Sequence, residues 1–232
     1  MLRSIGIVGC SAEGAALCYR TICTEAPLQL GGHHHPPVAM HTHSLQRYVD
    51  ALERDDLDAV AALMLDSAQR LAAAGAELLI CPDNTIHQAM DLVRPRSPLP
   101  WLHIAEVVAA EARHRGLRRL GILGTRWLVA SEVYPRALAA AGLQAVRPSN
   151  ADRDTCSHII MDELVRGVVT PAGTAQLVAL TQRLAEAGCD AVVLGCTELP
   201  LVLSDVNSAL PVLDSTRLLA RAALAAAMRS GG

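Results

Sequence analysis

A gapless internal repeat constrains this chain more than any other feature. Arg70-Leu71-Ala72-Ala73-Ala74-Gly75 runs into an aliphatic stretch at 77–81, and Arg183-Leu184-Ala185-Glu186-Ala187-Gly188 runs into another at 190–195. Held in register, the two copies pair Asp83 with Cys196 and Asn84 with Thr197. At a nearly equal offset, Ile5-Gly6-Ile7-Val8-Gly9 pairs with Leu120-Gly121-Ile122-Leu123-Gly124. A period this long means two duplicated α/β halves rather than a solenoid of short repeats.

Between these landmarks, short aliphatic runs alternate with Ala-rich stretches whose apolar residues recur at i, i+3 and i+4, the pattern of βα units around parallel sheets. Strands are expected at 4–9, 38–42, 77–81, 101–104, 119–124, 144–147, 190–195 and 211–213. Helices are expected at 14–25, 57–74, 105–115, 131–141, 156–165, 171–187 and 216–228. Gly75, Gly116, Gly142 and Gly188 stand where helix C-caps belong, and 30–37, 95–100 and 204–208 read as loops. The expected fold is α/β: two pseudo-symmetric Rossmann-like domains with parallel sheets, 1–103 plus 215–232 and 104–214. Chemistry in such sheets gathers beyond the carboxyl ends of the strands, here in the cleft between the two domains.

Composition excludes other roles. The 232 residues are 51% hydrophobic but only 2% aromatic, with no phenylalanine, so Ala, Leu and Val must fill the core. Few rings and a net charge of −3 argue against stacking platforms and phosphate-tracking surfaces, hence against nucleic acid. No apolar stretch approaches the ~20 residues that cross a bilayer, and no signal-peptide core opens the chain, so no membrane partner is expected. Seven cysteines lie without zinc-finger spacing, which suits free thiols in a reducing cytoplasm. His33-His34-His35 sits in a Gly/Pro loop with no spaced partner and reads as a solvated loop, not a metal site. The first strand lacks the third glycine of a dinucleotide fingerprint. No cofactor is expected.

The strand ends carry small polar or nucleophilic residues: Cys10-Ser11, Thr42-His43, Asp83-Asn84-Thr85, Thr125 and Cys196-Thr197-Glu198. Inverting a carbon stereocentre removes a proton from one face and returns one to the other, so it wants two acid/base groups on opposing walls. Asp83 and Cys196, paired by the repeat, suit that task. Taken singly, Cys196 is a small buried side chain and Asp83 an ordinary helix cap. Asn84, Thr85 and Thr197 can cap helices or hold a carboxylate while charge develops on it, and the two roles are compatible. Ser11, Thr42, Thr125 and Glu198 join them as substrate-binding candidates. His87 either orients Asp83 or packs, His41 and His43 flank a strand end, and Trp127 stands near the expected cleft mouth.

At these residues the chain resembles the aspartate/glutamate racemase family, within the wider Asp/Glu/hydantoin racemase superfamily. Asp83-Asn84-Thr85-Ile86-His87 is similar to the family's first catalytic motif, Cys-Asn-Thr-x-His, and Gly195-Cys196-Thr197-Glu198 to its second, Gly-Cys-Thr-Glu. The stretch 5–10 with Ser11 and Glu13, the strand at 38–42 with its helix at 50–58, Leu102-His103-Ile104, Leu123-Gly124-Thr125 and Asp214-Ser215-Thr216 extend the likeness over nearly the whole chain. The resemblance implies a cofactor-independent enzyme of two α/β domains, a homodimer, with its active site between the domains. Two departures stand out. Asp83 replaces the first cysteine, with Cys81 two residues earlier. Thr155 stands where members acting on Asp and Glu tend to carry a lysine, leaving Arg47, Arg153 and the nearby histidines as the remaining cations.

The resemblance implies a racemase or epimerase of an amino acid or related small carboxylic acid, PLP-independent, with Cys196 serving one face of the α-carbon and Asp83 the other. A carboxylate is a weaker base than a thiolate, so the two directions are expected to be unequal. Two other classes stay open: a single-cysteine decarboxylase or isomerase of a small diacid, and a non-catalytic family member.

Overall fold

The two halves of the repeat fold as two like sheets. The computed structural model describes residues 2–229. In its first unit, Met1–Val107 with Thr216–Gly232, the strands β1 (Ile5–Gly9), β2 (Val38–Thr42), β3 (Leu78–Ile80) and β4 (Trp101–Leu102) form a parallel sheet in the order β2-β1-β3-β4. In the second, Val108–Ser215, β5 (Arg119–Leu123), β6 (Gln144–Val146), β7 (Ala191–Leu194) and β8 (Val212–Asp214) repeat the arrangement as β6-β5-β7-β8, again all parallel. All eight expected strands form, and each sheet is α/β with helices between its strands.

The repeat is a packing repeat, not only a likeness of letters. A Cβ on Gly6 would lie 3.3 Å from Leu71 and 2.7 Å from Leu79, and one on Gly121 would lie 2.6 Å from Leu184, the counterpart of Leu71. Both first strands therefore need glycine where the helix of the repeat crosses them. That helix ends alike in each copy: Ala76 N–H bonds Leu71 O at 3.0 Å across Gly75 (φ +87°), and Cys189 N–H bonds Leu184 O at 3.0 Å across Gly188 (φ +79°). The start of the first strand is held alike as well. Glu77 accepts from Ser4 N–H at 2.8 Å, and its counterpart Asp190 accepts from Arg118 and Arg119 N–H at 2.7 and 2.9 Å. Those N–H groups hold the Asp190 carboxyl below the usual carboxylate range.

Each unit has an aliphatic core. In the first, Ile5, Ile7, Leu78 and Ile80 pack with Cys18, Ile22, Leu219 and Ala223, so the last helix, Ser215–Met228, closes the sheet begun by the first strand. Arg221 adds a two-pronged ion pair to Glu25 at 2.7 and 2.9 Å. In the second, Val192, Leu194, Leu177, Leu180 and Leu184 pack with Ile159 and Ile160. Each such leucine contributes about 1.5–3 kcal/mol of burial, enough to build a core without phenylalanine.

Several helices differ from expectation, among them short unexpected turns at Pro27–Leu30 and Met90–Val93. The helix expected at 131–141 forms as Val133–Ala140, and an unexpected short helix, Arg126–Ala130, precedes it, because Ser131 is extended and its hydroxyl accepts from Val133 N–H at 3.3 Å. The helix expected at 156–165 begins earlier, as Asn150–His158. Ser149 caps it by accepting from Asp152 N–H, and its last turn opens into a π turn over Ile159–Glu163. Ahead of the helix Leu57–Ala73 lies another, Leu45–Glu53. Asp55, in the left-handed region at φ 53°, and the capping side chain of Asp56 separate the two.

Candidate active site

Asp83 and Cys196 each follow the strand next to the first in their sheet: β3 ends at Ile80 and β7 at Leu194. In the first unit the chain leaves β3 through buried Cys81 and Pro82 and turns at half-buried Asp83. One carboxylate oxygen of Asp83 accepts from Thr85 N–H at 3.0 Å and Ile86 N–H at 3.3 Å, which starts the 3-10 turn Thr85–Ala89. Asp83 is thus a cap and a site candidate at once. Asn84 and Thr85 are buried beside it.

His87 lies on that turn rather than on a following α-helix, and it is enclosed. Its Nε2 donates to Cys81 O at 3.0 Å and its ring meets His103 edge-on, centroids 4.5 Å apart. Burial first, then His103, pushes its pKa well down, so the ring is neutral. It pins the strand exit that carries Asp83. Cys81 does not stand in for a missing first cysteine: it is fully buried, and burial and then Asp83 push its thiol well up. Tyr48, from the helix Leu45–Glu53, was not singled out in the sequence. It is completely buried, and burial first, then Cys81, Cys10 and Asp83, raises its hydroxyl above the ordinary tyrosine range. Its sequence signal was the i, i+3, i+4, i+7 spacing of Leu45, Tyr48, Val49 and Leu52, an amphipathic helix face.

In the second unit Cys196 is 9% exposed and its thiol donates to Glu198 Oε2 at 3.0 Å. Thr197 Oγ1 donates to the same oxygen at 2.7 Å. This oxygen therefore gathers two donors, the Cys196 thiol and the Thr197 hydroxyl. A tight turn spans Thr197 and Glu198, and the helical segment begins only at Leu199 as the 3-10 turn Leu199–Leu201. Gly195 is compelled: a Cβ there would lie 2.6 Å from Leu128 and 2.7 Å from Leu123 O. Cys156, another enclosed thiol of this unit, is pushed up to about 12 by burial, and buried Cys189 is raised as well.

The remaining candidates fall at strand ends. Ser11 caps the helix Ala12–Glu25, accepting from Gly14 N–H at 3.2 Å, and Thr125 caps Arg126–Ala130, accepting from Leu128 N–H at 3.3 Å. Thr42 ends β2 and is exposed. Half-buried Trp127 carries the Arg126 guanidinium over its ring at 4.6 Å. His41 and His43 turn towards the helix Leu57–Ala73, where they meet Ser67 and Asp66. Arg47 reaches His43 Nδ1 at 3.2 Å, and Arg153 is half-buried on the helix Asn150–His158. His33, His34 and His35 are exposed.

A sequence model of the Asp/Glu/Hydantoin racemase family matches residues 5–223. The chain belongs to the Asp/Glu/hydantoin racemase family. Among this family's proteins it is similar to the broad specificity amino-acid racemase RacX of Bacillus subtilis (strain 168), at 25% identity over 169 residues, 72% of this chain and 71% of the relative. Its fold is similar to a crystal structure from Yersinia pestis provisionally assigned as an Asp/Glu racemase: TM-score 0.89, 28% identity, 98% of this chain and 100% of the other. It is also similar to an aspartate racemase homologue from Pyrococcus horikoshii OT3: TM-score 0.83, 25% identity, 97% of this chain and 99% of the other. No described helix is long and apolar enough to cross a membrane.

Proposed function

We propose that this chain is a cofactor-independent amino-acid racemase or epimerase, acting on an aspartate/glutamate-type amino acid or a related small carboxylic acid. The observation that carries the reading is the equivalent placement of Asp83 and Cys196, one at the same strand exit of each of two like sheets. In the proposed reaction the Asp83 carboxylate takes the α-proton from one face. The electron pair passes into the substrate carboxylate, and the Cys196 thiol delivers its proton to the opposite face of the carbon, leaving Cys196 as a thiolate. The reverse direction exchanges the roles. Nothing is oxidised or reduced, so two acid/base groups suffice.

Asn84, Thr85 and Thr197 supply donors for the charged carboxylate, with Ser11, Thr42, Thr125 and Glu198 completing the polar lining. The proposed setting is a cytoplasmic homodimer. One observation favours a second reading: Asp83 already spends an oxygen on two backbone N–H groups. In that reading Asp83 only shapes its turn or orients substrate, and Cys196 alone protonates an enediolate left by decarboxylation, or adds to an alkene carbon.

The test is incubation with both enantiomers of an amino-acid and diacid panel in D₂O, following chirality, α-deuterium and CO₂. Loss of optical activity with deuterium uptake supports the racemase. Carbon dioxide release or alkene isomerisation supports the second reading.

A further inference from the structure

Beside Thr42 of the proposed lining, but on the opposite face, the end of β2 and the helix Leu57–Ala73 bring together His41, His43 and Asp66. One donor atom from each lies within 4.8 Å of the others. The histidines stand at i and i+2, His41 in β2 and His43 one residue past its end, and both turn to the same helix. Thr42 points the other way, because a Cβ on its neighbour Gly9 would lie 2.4 Å from Thr42 Cγ2 and 3.2 Å from Ala15. Asp66 and Ser67 approach the histidine face from the helix.

From this juxtaposition we propose a divalent metal site of the zinc class, with His41, His43 and Asp66 as ligands and water in the open position. Two imidazoles and a carboxylate are a donor set that zinc and its late first-row neighbours take. The Ser67 hydroxyl holds His41 Nδ1 at 2.9 Å, which leaves Nε2 for an ion and supplies the orienting bond that metal-bound imidazoles keep. His43 Nε2 is buried and faces Asp66 Oδ2 at 3.0 Å, with Arg70 on the same carboxylate. Such an enclosed nitrogen beside a carboxylate is what an ion would bridge.

Two arginines hold the place of the ion. Arg70 grips Asp66 at 2.8 and 3.2 Å, and exposed Arg47 donates to His43 Nδ1 at 3.2 Å. Binding requires Arg47 to swing out and His43 Nδ1 to take a proton. The ion would clip the end of β2 to the helix Leu57–Ala73, a stabilising rather than catalytic role.

The test uses the full chain, stripped with chelator and titrated with Co²⁺ as an optical probe and Zn²⁺ as a stabiliser. One Co²⁺ should bind without a thiolate charge-transfer band, and Zn²⁺ should raise Tm. His43→Gln and Asp66→Asn should each weaken binding by about tenfold or more. Arg70→Ala should tighten it about two- to fivefold, by removing a competing cation. Replacing His33, His34 and His35 together by alanine should leave binding unchanged. X-ray absorption on the zinc-loaded wild type reads the ligands even if a variant misfolds: two imidazoles and oxygen are expected. Sulfur ligation, loss of binding with the 33–35 replacement, or no binding at all would overturn the site.

Discussion

The Cys196 thiol donates to Glu198 Oε2 at 3.0 Å, so the sulfur shares its surroundings with a carboxylate. That neighbour favours thiol over thiolate. In the proposed reaction it makes Cys196 a ready proton donor and a reluctant base, while Asp83 stands ready as the base.

Removing the charge should redistribute the two directions. Two unit charges at such a separation repel by about 1 to 4 kcal/mol in partly solvated surroundings. Glu198→Gln should therefore raise kcat for the enantiomer that needs Cys196 as base, moving the ratio of the two kcat values about tenfold or more. Enantiomers are equal in energy, so KM must move in parallel and the two kcat/KM values stay equal. Progress curves from each pure enantiomer measure this; an unchanged kcat ratio contradicts the role given to Glu198.

Gly195 and Gly121 should not tolerate alanine. Each would place a Cβ within 2.6 Å of a leucine methyl, Leu128 and Leu184 respectively. Overpacking of this kind costs about 1–3 kcal/mol. At roughly 2–4 °C per kcal/mol for a chain this size, calorimetry should show a Tm loss of several degrees. Gly195→Ala should also lower activity, because it displaces Cys196; Gly121→Ala should not.

His87 makes stability depend on pH near neutrality. Its folded pKa is pushed down, mainly by burial, so below about pH 6.5 the unfolded chain takes up a proton that the folded chain refuses. Its contribution to stability is fully present above that pH and declines as pH falls through it. Denaturant titrations of wild type and His87→Gln at pH 5 to 8 should give a shallower slope for the variant. Equal slopes would mean that His87 is not held neutral.

The fold was legible because its signals are local. Aliphatic runs bounded by glycine make strands whatever surrounds them, and Gly75 and Gly188 cap their helices with a left-handed φ that the repeat already marked. The pairing of Asp83 with Cys196 was legible for the same reason. Short-range caps were missed where their segments are brief: Thr125 starts a helix of only five residues, and Ser149 starts a polar one with no apolar stripe. Long-range meetings left no local trace. Nothing in the spacing of His41 and His43 tells that Asp66 will face them. The apolar face of its helix buries Tyr48, but no local pattern tells that the packing brings it near Asp83.

Isotope exchange by single variants tests the two-base mechanism most directly. In D₂O, wild type should place deuterium at the α-carbon of both enantiomers while inverting them. With Asp83→Asn, inversion should stop, and slow exchange with retention should persist only for the enantiomer whose α-hydrogen faces Cys196. With Cys196→Ala, exchange should persist only for the other enantiomer. If Asp83→Asn still inverts its substrate, or if both variants exchange the same enantiomer, Asp83 is not the second acid/base group.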